Sequence, residues 1–133
     1  MDRLFLDANV LFSAAYQPGA GLLRLWKLRN AVLCSSRYAV AEANLNLDDE
    51  SQRKRLADLA QKLHLFEAPA RELPRGISLP EKDVPILLAA IAARATHLLT
   101  GDVRDFGRYF GKRIEGLIVA LPGEYLRMHG EYP

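Results

Sequence analysis

Apolar residues in this chain fall into short continuous runs that alternate with stretches of helical spacing. Residues 3–6, Arg-Leu-Phe-Leu, read as a short buried strand that ends on Asp7, and Ala8-Asn9-Val10-Leu11 opens a helix. After the Gln17-Pro18-Gly19 turn, Leu22, Leu25, Trp26 and Arg29 fall at i, i+3, i+4 and i+7. That spacing predicts an amphipathic helix over 21–30 with Trp26 on its core face. Residues 31–34 form a second strand, and Ser35 or Ser36 can cap a helix over 37–47. Ser51 opens a further helix whose buried stripe is Leu56, Leu59, Ala60 and Leu63, followed by a third strand over 64–67. Residues 68–80, rich in proline, form a loop inside one domain, because neither side alone has enough strands to close a sheet. The strongest helix lies in 81–95 and starts near Asp83 or Val84, since Pro85 is tolerable only in a first turn. Strands over 97–100 and 117–121 and a short helix from Pro122-Gly123 complete the chain. Strands alternating with helices imply a three-layer α/β/α architecture around a central, mostly parallel sheet of about five strands.

Composition narrows this picture. The 133 residues fit a single domain, 1–133, with 50% hydrophobic and 26% charged residues, ordinary for a soluble globular protein. The apolar run 86–93 is too short to span a bilayer, and the N-terminus lacks a charged-then-apolar signal pattern, so no membrane role is expected. Cys34 is the single cysteine, which rules out an internal disulfide and fits a cytoplasmic location. The net charge of +2 announces no nucleic-acid binder, so any basic surface must be local.

Candidate chemistry resides in the acids. Two predicted strands end in aspartate, at Asp7 and, through a Gly101 turn, at Asp102; ligands in open α/β sheets bind outside such strand ends. If those strands are neighbours, Asp7 and Asp102 stand side by side. Asp102 and Asp105 are three apart, on one side of a helical turn. Asp83 sits at a helix N-terminus, where it can cap with one oxygen and offer the other. Glu42, among small apolar residues, is either a site acid or the partner of an arginine. Arg53, Lys54 and Arg55 read as a solvated helix face, with phosphate contact as the alternative. Arg104, Arg108, Lys112 and Arg113 make a basic patch beside the acids. Oxygen-only ligands favour Mg²⁺ or Mn²⁺. His64, His97 and His129 are isolated, with no zinc spacing.

Together LFLDANVLFSA, the glutamate of RYAVAEANL, KDVPILLAAIAARATHLLTGD and DVRDF resemble the PIN-domain family over essentially the whole chain. Each piece is common in α/β folds; their order and spacing as a set are specific. The resemblance implies an acidic site of Asp7, Glu42, Asp83 and Asp102, with Asp105 as an auxiliary acid. Asp7, Asp83 and Asp102 would be the metal ligands, Asn9 would brace Asp7, and Ser13 and Thr100 would be supporting hydroxyls. Ala8 departs from the family, which often has a hydroxyl residue there. The implied activity is Mg²⁺- or Mn²⁺-dependent hydrolysis of RNA, with Arg104 and Arg108 steering the RNA backbone. Small prokaryotic members include toxins of toxin–antitoxin pairs, which implies a cognate antitoxin as partner. Residues 21–30 and the helix at Arg37 are candidate homodimer faces. A nucleic-acid-binding PIN module with little or no nuclease activity is the alternative. A phosphorylatable receiver-type domain would want a lysine at the end of its last strand, where Ala120-Leu121-Pro122 stands instead.

Overall fold

The computed structural model describes residues 1–130. Its strands are β1 (Asp2–Leu6), β2 (Ala31–Ser35), β3 (His64–Leu65), β4 (His97–Leu99), β5 (Arg113–Ile114) and β6 (Leu117–Ala120). They form one sheet in the order β3-β2-β1-β4-β6-β5. All neighbours pair in parallel except β5 and β6. The α-helices are α1 (Ala8–Ala15), α2 (Arg37–Asn46), α3 (Glu50–Ala60), α4 (Val84–Ala92), α5 (Val103–Phe106) and α6 (Pro122–His129). This is an α/β fold with a mixed, mostly parallel sheet. No helix among the described residues is long and apolar enough to cross a membrane.

Leu4, Phe5 and Leu6 are all fully buried, as are Leu98 and Leu99. Such continuous apolar runs belong to central parallel strands covered on both faces. From β1 the chain steps outward to β2 and β3, then crosses back to β4 on the other side of β1. The direction of winding therefore reverses between β1 and β4, and the carboxyl ends of these two strands flank a crevice. The register pairs Leu6 with Leu99, and the Asp7 amide donates to the Leu99 carbonyl at 3.1 Å. Asp7 and Thr100 are thereby neighbours, although they lie far apart in the chain.

Several expectations are refined. Residues 21–30 do not form an α-helix; Gly21–Lys27 is a 3₁₀ helix whose Ala20 N-cap has no side-chain capping bond. Leu28 is already extended there, because the chain must enter β2 at Ala31. Trp26 packs against the core as expected, and its Nε1–H donates to the Leu59 carbonyl at 3.1 Å. The helix expected from Ser51 starts at Glu50, capped by Asp49 and Gln52 in a reciprocal capping box. Its basic cluster is partly structural. Arg55 donates to the Ala15 and Tyr16 carbonyls at 2.9 and 3.0 Å, covering the end of α1, and Arg53 donates to the Leu47 carbonyl at 2.7 Å. The third strand is shorter than 64–67, though Phe66 still donates to the Ser35 carbonyl at 2.9 Å.

β5 was not expected. It returns to β6 through Glu115 and Gly116, at φ 44° and 90°. Two successive positive φ values describe the tight hairpin turn that matches strand twist, and glycine adopts one of them without strain.

Truncating Leu98, fully buried on β4 between β1 and β6, should lower unfolding free energy in urea by about 2–5 kcal/mol. The same truncation at Leu45, 82% exposed on α2, should change it by less than about 0.5 kcal/mol.

Candidate active site

Asp7 leaves the end of β1 buried, at 4% exposure. It also caps α1, because Oδ1 accepts from the Ala8 amide at 2.6 Å. Its Oδ2 accepts from the Thr100 hydroxyl at 2.8 Å and from Asn9 Nδ2 at 3.2 Å. Asn9 therefore braces Asp7, and its Oδ1 accepts from the Gly101 amide at 2.7 Å. A side chain on Gly101 would meet that same oxygen at 3.3 Å, so glycine permits the close approach. Thr100 Oγ1 accepts in turn from the Asp102 amide at 3.1 Å. This network locks the ends of β1 and β4 together and aims Asp102 at the crevice.

Asp102 caps the short α5, accepting from the Asp105 amide at 3.0 Å. Asp83 behaves differently from the expected N-cap. A 3₁₀ turn over Glu81–Asp83 runs directly into α4, Asp83 is already helical (φ −95°, ψ −12°), and its side chain makes no capping bond. Both carboxylate oxygens face Lys82 instead, at 3.3 and 3.2 Å. The Lys82 ammonium also lies 3.0 Å from Asp105 and 3.8 Å from Asp102. Asp83, Asp102 and Asp105 each present an oxygen within 4.8 Å of the others. The close triplet thus contains Asp105, expected as an auxiliary acid, and Asp7 stands beside it rather than in it.

A cavity of about 730 Å³ opens over this cluster, with Asp7, Asn9, Ser13, Glu42, Lys82, Asp83 and Asp102 on its walls. Glu42 comes from α2, beside the Tyr38 hydroxyl. Arg104 and Arg108 are exposed on α5 and the turn after it; neither lines the cavity. Arg108 lies over the Tyr109 ring at 5.9 Å. The residues that sequence reasoning passed over are Lys82 and Tyr38, whose hydroxyl donates to the Lys82 carbonyl at 2.8 Å. The adjacency of Lys82 and Asp83 was the available signal.

Burial pushes the Asp7 carboxyl up and the Asp102 charge adds to this, while the Thr100 hydroxyl and the Ala8 amide oppose it. Burial, with the neighbouring Asp105 carboxyl, pushes Asp83 up to about 7. Asp105 goes the other way, held below the usual carboxylate range chiefly by Lys82. Lys82 is itself held firmly protonated, first by Asp105 and also by Asp83. The cluster therefore carries more negative charge than one ammonium balances. An oxygen-only donor set of this kind fits a hard divalent cation.

The PIN domain matches this chain over residues 3–104. The chain belongs to the PIN-domain family. No curated protein matches it in sequence. Solved structures share the PIN fold seen here. A chain of VapBC2 from Rickettsia felis, bound to a DNA fragment from its promoter, is 22% identical with a TM-score of 0.65, covering 90% of this chain and 98% of that one. A chain of VapBC-1 from nontypeable Haemophilus influenzae is 18% identical with a TM-score of 0.58, covering 91% and 98%. A chain of FitAB bound to the IR36 DNA fragment is 19% identical with a TM-score of 0.57, covering 90% and 94%.

The metal-free PIN site should show its charge imbalance in solution. The folded Asp83 carboxyl sits at about 7, above its ordinary 3.8. Over that window the folded state holds a proton that the unfolded chain has released, so this group's contribution to stability falls as pH rises. In EDTA, Asp83→Asn should gain stability relative to the parent as pH rises from about 4 to about 8, measured by urea unfolding. Thr100→Val removes the strongest donor to Asp7, and should raise the Asp7 carboxyl further in a carbon-13 NMR titration.

Proposed function

We propose that this chain is a Mg²⁺- or Mn²⁺-dependent endoribonuclease, acting as the cytoplasmic toxin of a toxin–antitoxin pair. The observation that carries this reading is that Asp7, Asp83 and Asp102 line one cavity, with Asp105 close to Asp83 and Asp102. Asp7, Asp83 and Asp102 would hold the cation, with Asp105 as the auxiliary acid beside Asp83 and Asp102. When bound, a divalent cation neutralises phosphate charge, lowers the pKa of an attacking water and stabilises the leaving oxygen.

The chain's own residues do the remaining work. Asn9 and Thr100 hold Asp7 in place, so its charge reaches the cavity in a fixed direction. Glu42, which also lines the cavity, would orient a water and accept its proton on a carboxylate oxygen. Ser13 offers a hydroxyl from α1 to the bound strand. The Lys82 side chain is 58% exposed, so its ammonium can turn from the acids toward a phosphate oxygen. Arg104 and Arg108, both exposed, would attract the RNA backbone.

The toxin assignment draws on the family resemblance and on the shared fold of the VapBC and FitAB chains. An antitoxin needs apolar surface to cover, and Leu45, Tyr38 and Tyr16 stand exposed at 82%, 36% and 45%. Pairing of two copies through the segment 21–30 and α2 belongs to the same proposal. One observation favours the second reading, a nucleic-acid-binding module with little catalysis: Lys82 already places a positive charge among the three acids.

Single-stranded RNA incubated with the protein and Mn²⁺ separates the two. We expect cleavage that EDTA abolishes and that Asp7→Asn and Asp102→Asn each slow by on the order of 100-fold or more. RNA retained by the protein but left intact supports the binding module, and equal cleavage by parent and variants refutes the assigned site.

A further inference from the structure

The parallel strands carry a second cluster of metal-binding groups at their other end. Asp2 begins β1, His97 begins β4 beside it, and His129 is the last residue of α6. One donor atom of each lies within 4.8 Å of the other two. His97 and His129, which look isolated along the chain, are thus neighbours in space, with ring centroids 6.1 Å apart.

The His97 ring is anchored through its neighbour Thr96. The Thr96 hydroxyl lies 3.0 Å from the Arg3 carbonyl. One of its lone pairs accepts from the Arg3 amide at 2.9 Å. His97 Nδ1 stands 2.9 Å from the same oxygen, so the Thr96 hydroxyl fixes the orientation of the ring. A metal-ligating imidazole is commonly oriented in this way, by a partner on its other nitrogen.

The other two groups are oriented as well. Tyr125 donates its hydroxyl to Asp2 Oδ2 at 2.6 Å. The same ring stacks on His129, with centroids 4.5 Å apart, and meets the His97 edge at 5.0 Å. A small cavity of about 180 Å³, lined by Asp2, Asn30, Tyr125 and His129 among others, opens beside the cluster. His129 is exposed and the other two are half-buried, so an ion has a path in.

We propose that Asp2, His97 and His129 form a transition-metal site of the Zn²⁺ type, distinct from the carboxylate centre. Two imidazoles and one carboxylate suit a borderline cation and leave a fourth tetrahedral position to water. The acid cluster, with oxygen donors alone, suits Mg²⁺ or Mn²⁺ instead. The bound ion ties the end of α6 to the starts of β1 and β4, and stabilises the fold by binding the native state alone.

The test is a titration of the full chain with ZnCl₂ by calorimetry and with CoCl₂ by visible absorption. One equivalent should bind, giving Co²⁺ ligand-field bands of a tetrahedral site. Binding should persist in the double variant Asp83→Asn/Asp102→Asn, and His129→Gln or His97→Gln should weaken it by at least ~10-fold. His129→Gln lies on the surface, and unchanged circular dichroism verifies its fold. In proton NMR the His97 and His129 ring signals should move together on Zn²⁺ addition while His64 stays still. Absence of binding, binding that survives both histidine substitutions, or binding lost with the acid substitutions would each overturn the assignment.

Discussion

The hydrogen-bonded meeting of Asp7, Asn9 and Thr100 decides where everything else in this protein stands. It joins the ends of β1 and β4, the two strands between which the direction of winding reverses. Without it, the loop that carries Asp102 would have no fixed departure angle, and α1 would lose the side chain that caps it. Most of this cost is local: each bond of the network contributes about 1 kcal/mol net, more where a buried carboxylate accepts. Its larger effect is geometric, since it converts backbone register into the placement of charge.

Gathering acids into one place works against electrostatics, and the site shows how the conflict is resolved. Asp7 is stabilised by donors on both oxygens, Asp105 and Asp83 share Lys82, and Asp83 takes the proton that the cluster cannot give up. Lys82 is neither an incidental surface cation nor a simple ion-pair partner. Its ammonium stands where three carboxylates converge, on a long flexible stem with more than half its side chain in solvent. Lys82 thus offsets part of the acids' charge and, on its flexible stem, can still turn aside to admit another cation.

Much of this was readable along the chain because it depends on strong local patterns. Short apolar runs ending in Asp7 and near Asp102 announce buried parallel strands, and the apolar 86–93 run announces a central helix. The family resemblance added the order in which the acids occur. What escaped has a common physical origin. A two-residue strand such as β5 has no periodicity to detect, and only its Glu115-Gly116 turn marks it. Asp83 looks like a cap by residue type, yet the 3₁₀ turn before it removes the need for one. The nearness of Asp2, His97 and His129 arises from strand order and from the return of α6, neither of which spacing encodes.

The sheet ends on both sides in strands of two residues, β3 and β5. A bare sheet margin is a template onto which another chain can add, and its reach grows with the length of exposed backbone. Here each margin offers only a few open amide and carbonyl groups. Arg71, from the long connection after β3, reaches Glu115 in the β5–β6 turn with two bonds of 3.2 and 2.8 Å, so that connection is tied down at the opposite margin. Strands this short at both margins leave little continuous backbone for a neighbouring chain to extend.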